Sequence, residues 1–112
     1  PMSPSGFVDL QVNGFSGVDF SSTGLTLEQV KEVSVALSRR GTLAFCPTVI
    51  TADRDVYRRV LPLLGGAVRE SAAWPARLLG IHLEGPFISP EDGAVGVHPA
   101  RHVRLCRQVR VP

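Results

Sequence analysis

Three short apolar segments constrain this chain more than anything else in it. They start near residues 7, 42 and 78, at intervals of 35 and 36 residues. The first, Phe7-Val8-Asp9-Leu10-Gln11-Val12, runs into Asn13-Gly14; the second, Thr42 to Cys46, stops at Pro47; the third reaches Glu84 before Gly85-Pro86. β-Branched and apolar content bounded by turn residues predicts strands at 7–12, 42–46 and 78–84. Helical patterns fill both gaps. Thr26-Leu27-Glu28-Gln29 is a capping-box pattern, Leu27, Val30, Val33 and Leu37 follow at helical spacing, and Gly41 ends the helix. A second helix is expected from near Thr51 or Asp53, with Val56, Val60 and Leu64 on one face. Pro62 is expected to cut it short, Gly65-Gly66 to break it, and Ala67 to Trp74 to add a further turn. Strand–helix–strand at this interval predicts parallel βαβ units.

Length then limits the architecture. The chain has 112 residues, whereas a closed (β/α)8 barrel takes about 250. It is either a very small open sheet or a piece of something larger. Pro1 in place of an initiator methionine raises the expectation of further sequence upstream. With 44% hydrophobic residues, 20% charged residues and a mean hydropathy of +0.14, the composition is that of a globular core and not of a disordered chain. No apolar run approaches the ~18 residues of a membrane span, and the opening PMSPSGFVDL lacks the features of a secretory signal. Cys46 and Cys106 form no framework spacing, so a reduced, cytoplasmic protein is expected.

The net charge of +2 is misleading. Arg101, Arg104, Arg107 and Arg110 crowd the end of the chain and no acid lies beyond Asp92, which leaves the rest at −2. A solvated tail explains that cluster better than a nucleic-acid partner does.

In parallel α/β folds, functional side chains gather beyond the carboxyl ends of the strands, here Gln11-Val12-Asn13, Cys46-Pro47-Thr48 and His82-Leu83-Glu84-Gly85-Pro86. Gln11 and Asn13 share one face of their strand, as do His82 and Glu84. Polar pairs on otherwise apolar strands cost free energy unless satisfied, which makes them site candidates. Glu84, fixed by the Gly-Pro turn, suits a zinc ligand, a general base or an anchor for loop amides. His82 alone reads as a structural histidine, and Gln11 and Asn13 as organisers of loop hydrogen bonds. His98 and His102 have helix-face metal spacing, but Pro99 sits between them. The Gly14-Phe15-Ser16-Gly17 loop lacks both the GxGxxG spacing and a phosphate-binding lysine, and reads as a turn over the strand end.

Taken together, three stretches resemble one family. Gly6 to Gly14 with Gly17-Val18-Asp19-Phe20, Gly41 to Thr51, and Gly80-Ile81-His82-Leu83-Glu84-Gly85-Pro86-Phe87-Ile88-Ser89 resemble the first three barrel strands of N-acetylglucosamine-6-phosphate deacetylases, in order. The resemblance covers residues 6–104. It implies an α/β chain containing the first three βα units of a (β/α)8 TIM-type barrel of the amidohydrolase superfamily, incomplete as given. Residues 1–104 would form this partial barrel and residues 105–112 a basic tail of a different kind.

The implied activity is metal-dependent hydrolysis of N-acetylglucosamine 6-phosphate to glucosamine 6-phosphate and acetate. The implied cofactor is one divalent ion per site, zinc first among candidates, with Glu84 as its carboxylate ligand. Val97 and His98, in Gly96-Val97-His98, match the family's sugar-contacting segment, although the stretch before them is longer than the family's and lacks its basic residues. Gln11 and Asn13 stand where many amidohydrolases carry His-x-His, which fits a single-metal site; with His82 they would line it. The resemblance also implies a homodimer for the complete protein. Two histidine ligands and the catalytic Asp are expected beyond Pro112, so inactivity is expected for this chain alone. The alternative is a noncatalytic interaction module pairing through exposed sheet edges.

Overall fold

The computed structural model describes residues 5–89, 91, 96 and 98–104. Val97 and the tail at 105–112 therefore lie outside the described residues. The element order is β1 (Phe7–Val12), β2 (Gly14–Phe15), β3 (Val18–Asp19), α1 (Leu27–Ser38), β4 (Thr42–Ile50), α2 (Arg54–Glu70), β5 (Arg77–Leu78) and β6 (His82–Glu84). β4 is central, with β1 parallel on one side and β5, then β6, parallel on the other. This is the expected α/β arrangement.

Local chemistry explains α1. The Thr26 hydroxyl accepts from the Gln29 N–H at 3.2 Å, and the Gln29 side-chain oxygen accepts from the Thr26 N–H at 3.1 Å, so two orphan donors are satisfied reciprocally. Val30, Val33 and Leu37 face inward. They share a core with Val60, Leu64 and Ala67 of α2, Phe45 and Val49 of β4, and Leu78 of β5. Phe20 stacks on Phe45 with ring centroids 6.2 Å apart. Burying a side chain such as Phe45 contributes on the order of 1.5–3 kcal/mol, before entropy is counted.

α2 departs from expectation. It runs unbroken from Arg54 to Glu70, through Pro62 and Gly65-Gly66, and only then tightens into a 3-10 turn at Ser71–Ala73. Pro62 is exposed while Val60, Leu64 and Ala67 are buried. The inward stripe therefore continues past the proline, and packing overrides the local penalty.

Two strands also differ from their predicted bounds. β4 continues through Pro47 to Ile50. The β1–β4 register slips between Asp9 and Val12, opposite Phe45 and Pro47, so the residue without an N–H falls at an irregularity. There the Val12 N–H donates instead to Thr48 Oγ1 at 3.1 Å. The segment predicted as one strand at 78–84 is split into β5 and β6. β5 pairs Leu78 with Phe45 and β6 pairs His82 with Thr48, which leaves one residue too many between them and places Gly80 in the gap. Finally, the expected loop after β1 is a small hairpin of β2 and β3. Its central residues Ser16 and Gly17 both have positive φ, 52° and 81°, the primed geometry that suits a two-residue hairpin.

Candidate active-site wall at the strand ends

The carboxyl ends of β1 and β6 bring Gln11 to Glu84, while His82 turns to Thr48 of β4. The Glu84 carboxylate receives Gln11 Nε2 on Oε2 at 2.8 Å, and His98 Nε2 lies 3.4 Å from Oε1. The Glu84 side chain keeps about a third of its surface open, whereas that of His98 is 7% exposed. His82 Nδ1 lies 3.2 Å from the Thr48 hydroxyl, which also accepts from the Val12 N–H. Thr48 thus ties β1, β4 and β6 at one point.

Asn13 joins differently from Gln11. It is exposed, and its main-chain carbonyl accepts from the Phe20 N–H at 3.1 Å. His98 and His102 do not converge as a metal pair. His98 faces Glu84, while His102 Nε2 accepts from Arg101 Nε at 3.2 Å.

Two threonines add to the site: Thr48, which the sequence places at a strand end without assigning it a role, and Thr51, which it does not single out. Both are buried, and Thr51 contacts His98 through its hydroxyl and its amide. Extending the second strand through Pro47 would have placed Thr48 beside His82. Nothing local to Thr51 announces its partner 47 residues away.

Behind β6, on the face opposite Glu84, a cleft of about 370 Å³ is lined by Tyr57, Leu61, Leu83, Phe87 and the arginines Arg54 and Arg104, among others. Burial pushes the Tyr57 phenol above its ordinary value of 10.0, against the lowering effects of its hydrogen bond with the Ala52 amide and of the nearby Arg104 guanidinium.

A divalent ion needs several ligands. Among the described residues no three His, Cys, Asp or Glu side chains converge. Glu84 supplies one oxygen-donor arm, held in place by Gln11 and His98. A catalytic zinc site takes three protein ligands, so this donor set fits an ion only as part of a larger one.

Parallel strands whose carboxyl ends carry a hydrogen-bonded carboxylate, amide and imidazole mark an α/β unit that gathers its polar groups where such folds do their chemistry. Comparison with known proteins narrows the class. The chain is 43% identical over 103 residues to the N-acetylglucosamine-6-phosphate deacetylase of Bos taurus and 42% identical over 103 residues to that of Homo sapiens. Each match covers 88% of this chain and 24% of the relative. The crystal structure of the Pasteurella multocida N-acetylglucosamine-6-phosphate deacetylase matches with a TM-score of 0.75 at 27% identity, over 89% of this chain and 25% of that one. No family model matches. The chain is thus homologous to N-acetylglucosamine-6-phosphate deacetylases and spans about a quarter of the length of the relatives it matches.

Proposed function

We propose that this chain supplies one wall of the active site of a metal-dependent deacetylase acting on N-acetylglucosamine 6-phosphate, with Glu84 as one metal ligand. The observation that carries this reading is the position of Glu84. It ends a parallel strand, is part-exposed, and is hydrogen-bonded on both oxygens by groups from β1 and from the segment after β6. A carboxylate oriented by two neighbours before any ion binds loses little freedom on binding. Residues 1–104 would form the first three βα units of a TIM-type barrel.

A bound divalent ion would supply Lewis-acid polarisation of the acetamide carbonyl. The chain's own residues do the rest of their work through position. Gln11 and His98 hold the carboxylate, His82 and Thr48 knit the strand ends, and Asn13 extends the polar rim of the site. Val97 and His98 would meet the sugar. The remaining ligands and the carboxylate that passes a proton to the leaving amine would belong to parts of the polypeptide outside the quarter matched here.

Two measurements test the reading. In calorimetry the 112-residue chain should show no tight, stoichiometric zinc site and should release no acetate from the sugar. A chimera carrying this chain in place of the matching quarter of the bovine relative should bind zinc and release acetate. Glu84→Gln in that chimera should cost at least about 100-fold in metal affinity, more than the loss of an outer-shell partner. Full zinc content and activity in the Glu84→Gln chimera would sink the assignment.

One observation favours a second reading, association through sheet edges. Phe7, Val8 and Leu10 of β1 are exposed, and among the described residues β1 pairs only with β4.

A further inference from the structure

Thr51 makes a contact with His98 whose chemistry has a direction. The Thr51 main-chain N–H donates to His98 Nδ1 at 3.2 Å. A main-chain amide can only donate, so Nδ1 is the acceptor and carries no proton. The Thr51 hydroxyl reaches the same nitrogen at 2.8 Å and has its own proton to give. With two donors on Nδ1, the ring proton of the neutral imidazole resides on Nε2. Nε2 is the atom 3.4 Å from Glu84 Oε1. The Glu84 contact is then a hydrogen bond given by a neutral ring, and Nε2–H points at the carboxylate or at whatever shares that carboxylate's open side.

We propose that Thr51 is a positioning residue that sets the tautomer and orientation of His98, so that this histidine acts at the strand-end site as an Nε2–H donor. The surroundings are built for it. Thr51 is buried and lies one residue past the end of β4. A methyl group at Gly85 would collide with the Thr51 hydroxyl, so the turn after β6 passes close enough to hold that hydroxyl against the ring. The tautomer follows from hydrogen bonds in this chain alone. Only its consequence, a fixed donor beside a metal-binding carboxylate, rests on the proposed role of Glu84.

The test reads the ring directly and needs neither metal nor sugar. In the 112-residue chain labelled with 15N-histidine, under mildly alkaline conditions, two-bond proton–nitrogen correlations should give His98 a pyridine-type Nδ1 and a pyrrole-type Nε2. Thr51→Val removes the hydroxyl and keeps the amide and the shape. It should move the two nitrogen shifts toward each other, and Thr51→Ser should restore them. A wild-type spectrum showing the Nδ1–H tautomer, or the averaged pattern of a free imidazole, overturns the proposal without any variant. So does a Thr51→Val spectrum identical to wild type. Failure of zinc binding in the chimera would leave these shifts unmoved, so the two readings fail separately.

Discussion

Gly85 closes the strand-end site with a backbone that few residues could adopt. Its φ is +99°, and a Cβ placed there would overlap the Thr51 hydroxyl. Both penalties apply to Gly85→Ala, so the variant should lose about 1–3 kcal/mol of stability, read as a lower urea midpoint at unchanged slope. A midpoint equal to wild type would mean the turn relaxes freely. Tyr57 offers a different residue-scale measurement. Its hydroxyl donates to the Ile50 carbonyl and accepts from the Ala52 N–H, both at 3.1 Å, and burial raises its pKa above 10.0. The folded state therefore holds the phenolic proton more tightly than the unfolded state does. The resulting stabilisation is complete below pH 10 and is lost as the pH rises through the higher folded-state value. Unfolding free energies measured across the alkaline range should fall for wild type by a component that Tyr57→Phe lacks, so the gap between the two proteins narrows. A gap constant with pH would refute the assignment.

At the scale of elements, the sequence was most legible where the determining contacts are local. The capping box of α1 lies within four residues, and its hydrogen bonds form as its pattern requires. α2 shows the opposite case. Pro62 and Gly65-Gly66 are local breakers, yet Val60, Leu64 and Ala67 are buried on the inner face of one continuous helix, because the reward for burial comes from residues distant in sequence. Pro62 is exposed and contributes little to that packing. Pro62→Ala should accordingly stabilise the chain by about 2 kcal/mol, most of the helix-interior penalty less the ordering that proline imposes on the unfolded chain. Equilibrium urea unfolding measures it, and an unchanged or lower midpoint would show that the proline is itself part of the packing. The strand ends tell the same story. Gln11, His82 and Glu84 were visible through alternation on single strands. Thr48 is legible as a strand-end residue, but ending its strand at Pro47 conceals its contact with His82, and the Thr51–His98 contact crosses a separation that no local pattern spans.

Across the whole molecule, the helices cover one side of the sheet unevenly. Core residues of α1 and α2 bury Phe45, Val49 and Leu78, but they leave Phe7 72%, Val8 55% and Leu10 64% exposed on β1. The same strand has one ladder partner among the described residues. An apolar strand with one unpaired edge is a template for another strand, and natural proteins protect such edges with charge or cover. β1 has only Asp9 to serve that purpose. The isolated chain should therefore self-associate reversibly, with a weight-average sedimentation coefficient that rises with concentration. Leu10→Lys adds a charge to the exposed face at a position where little packing is lost, so it should shift the distribution toward monomer while leaving the urea midpoint of the dilute protein within about 0.5 kcal/mol of wild type. If wild type sediments as a single monomeric species over the whole concentration range, the exposed strand does not drive association and the edge-pairing reading is removed. If Leu10→Lys associates as strongly as wild type, the contact lies elsewhere on the surface, and β1 serves only to carry Gln11 to Glu84.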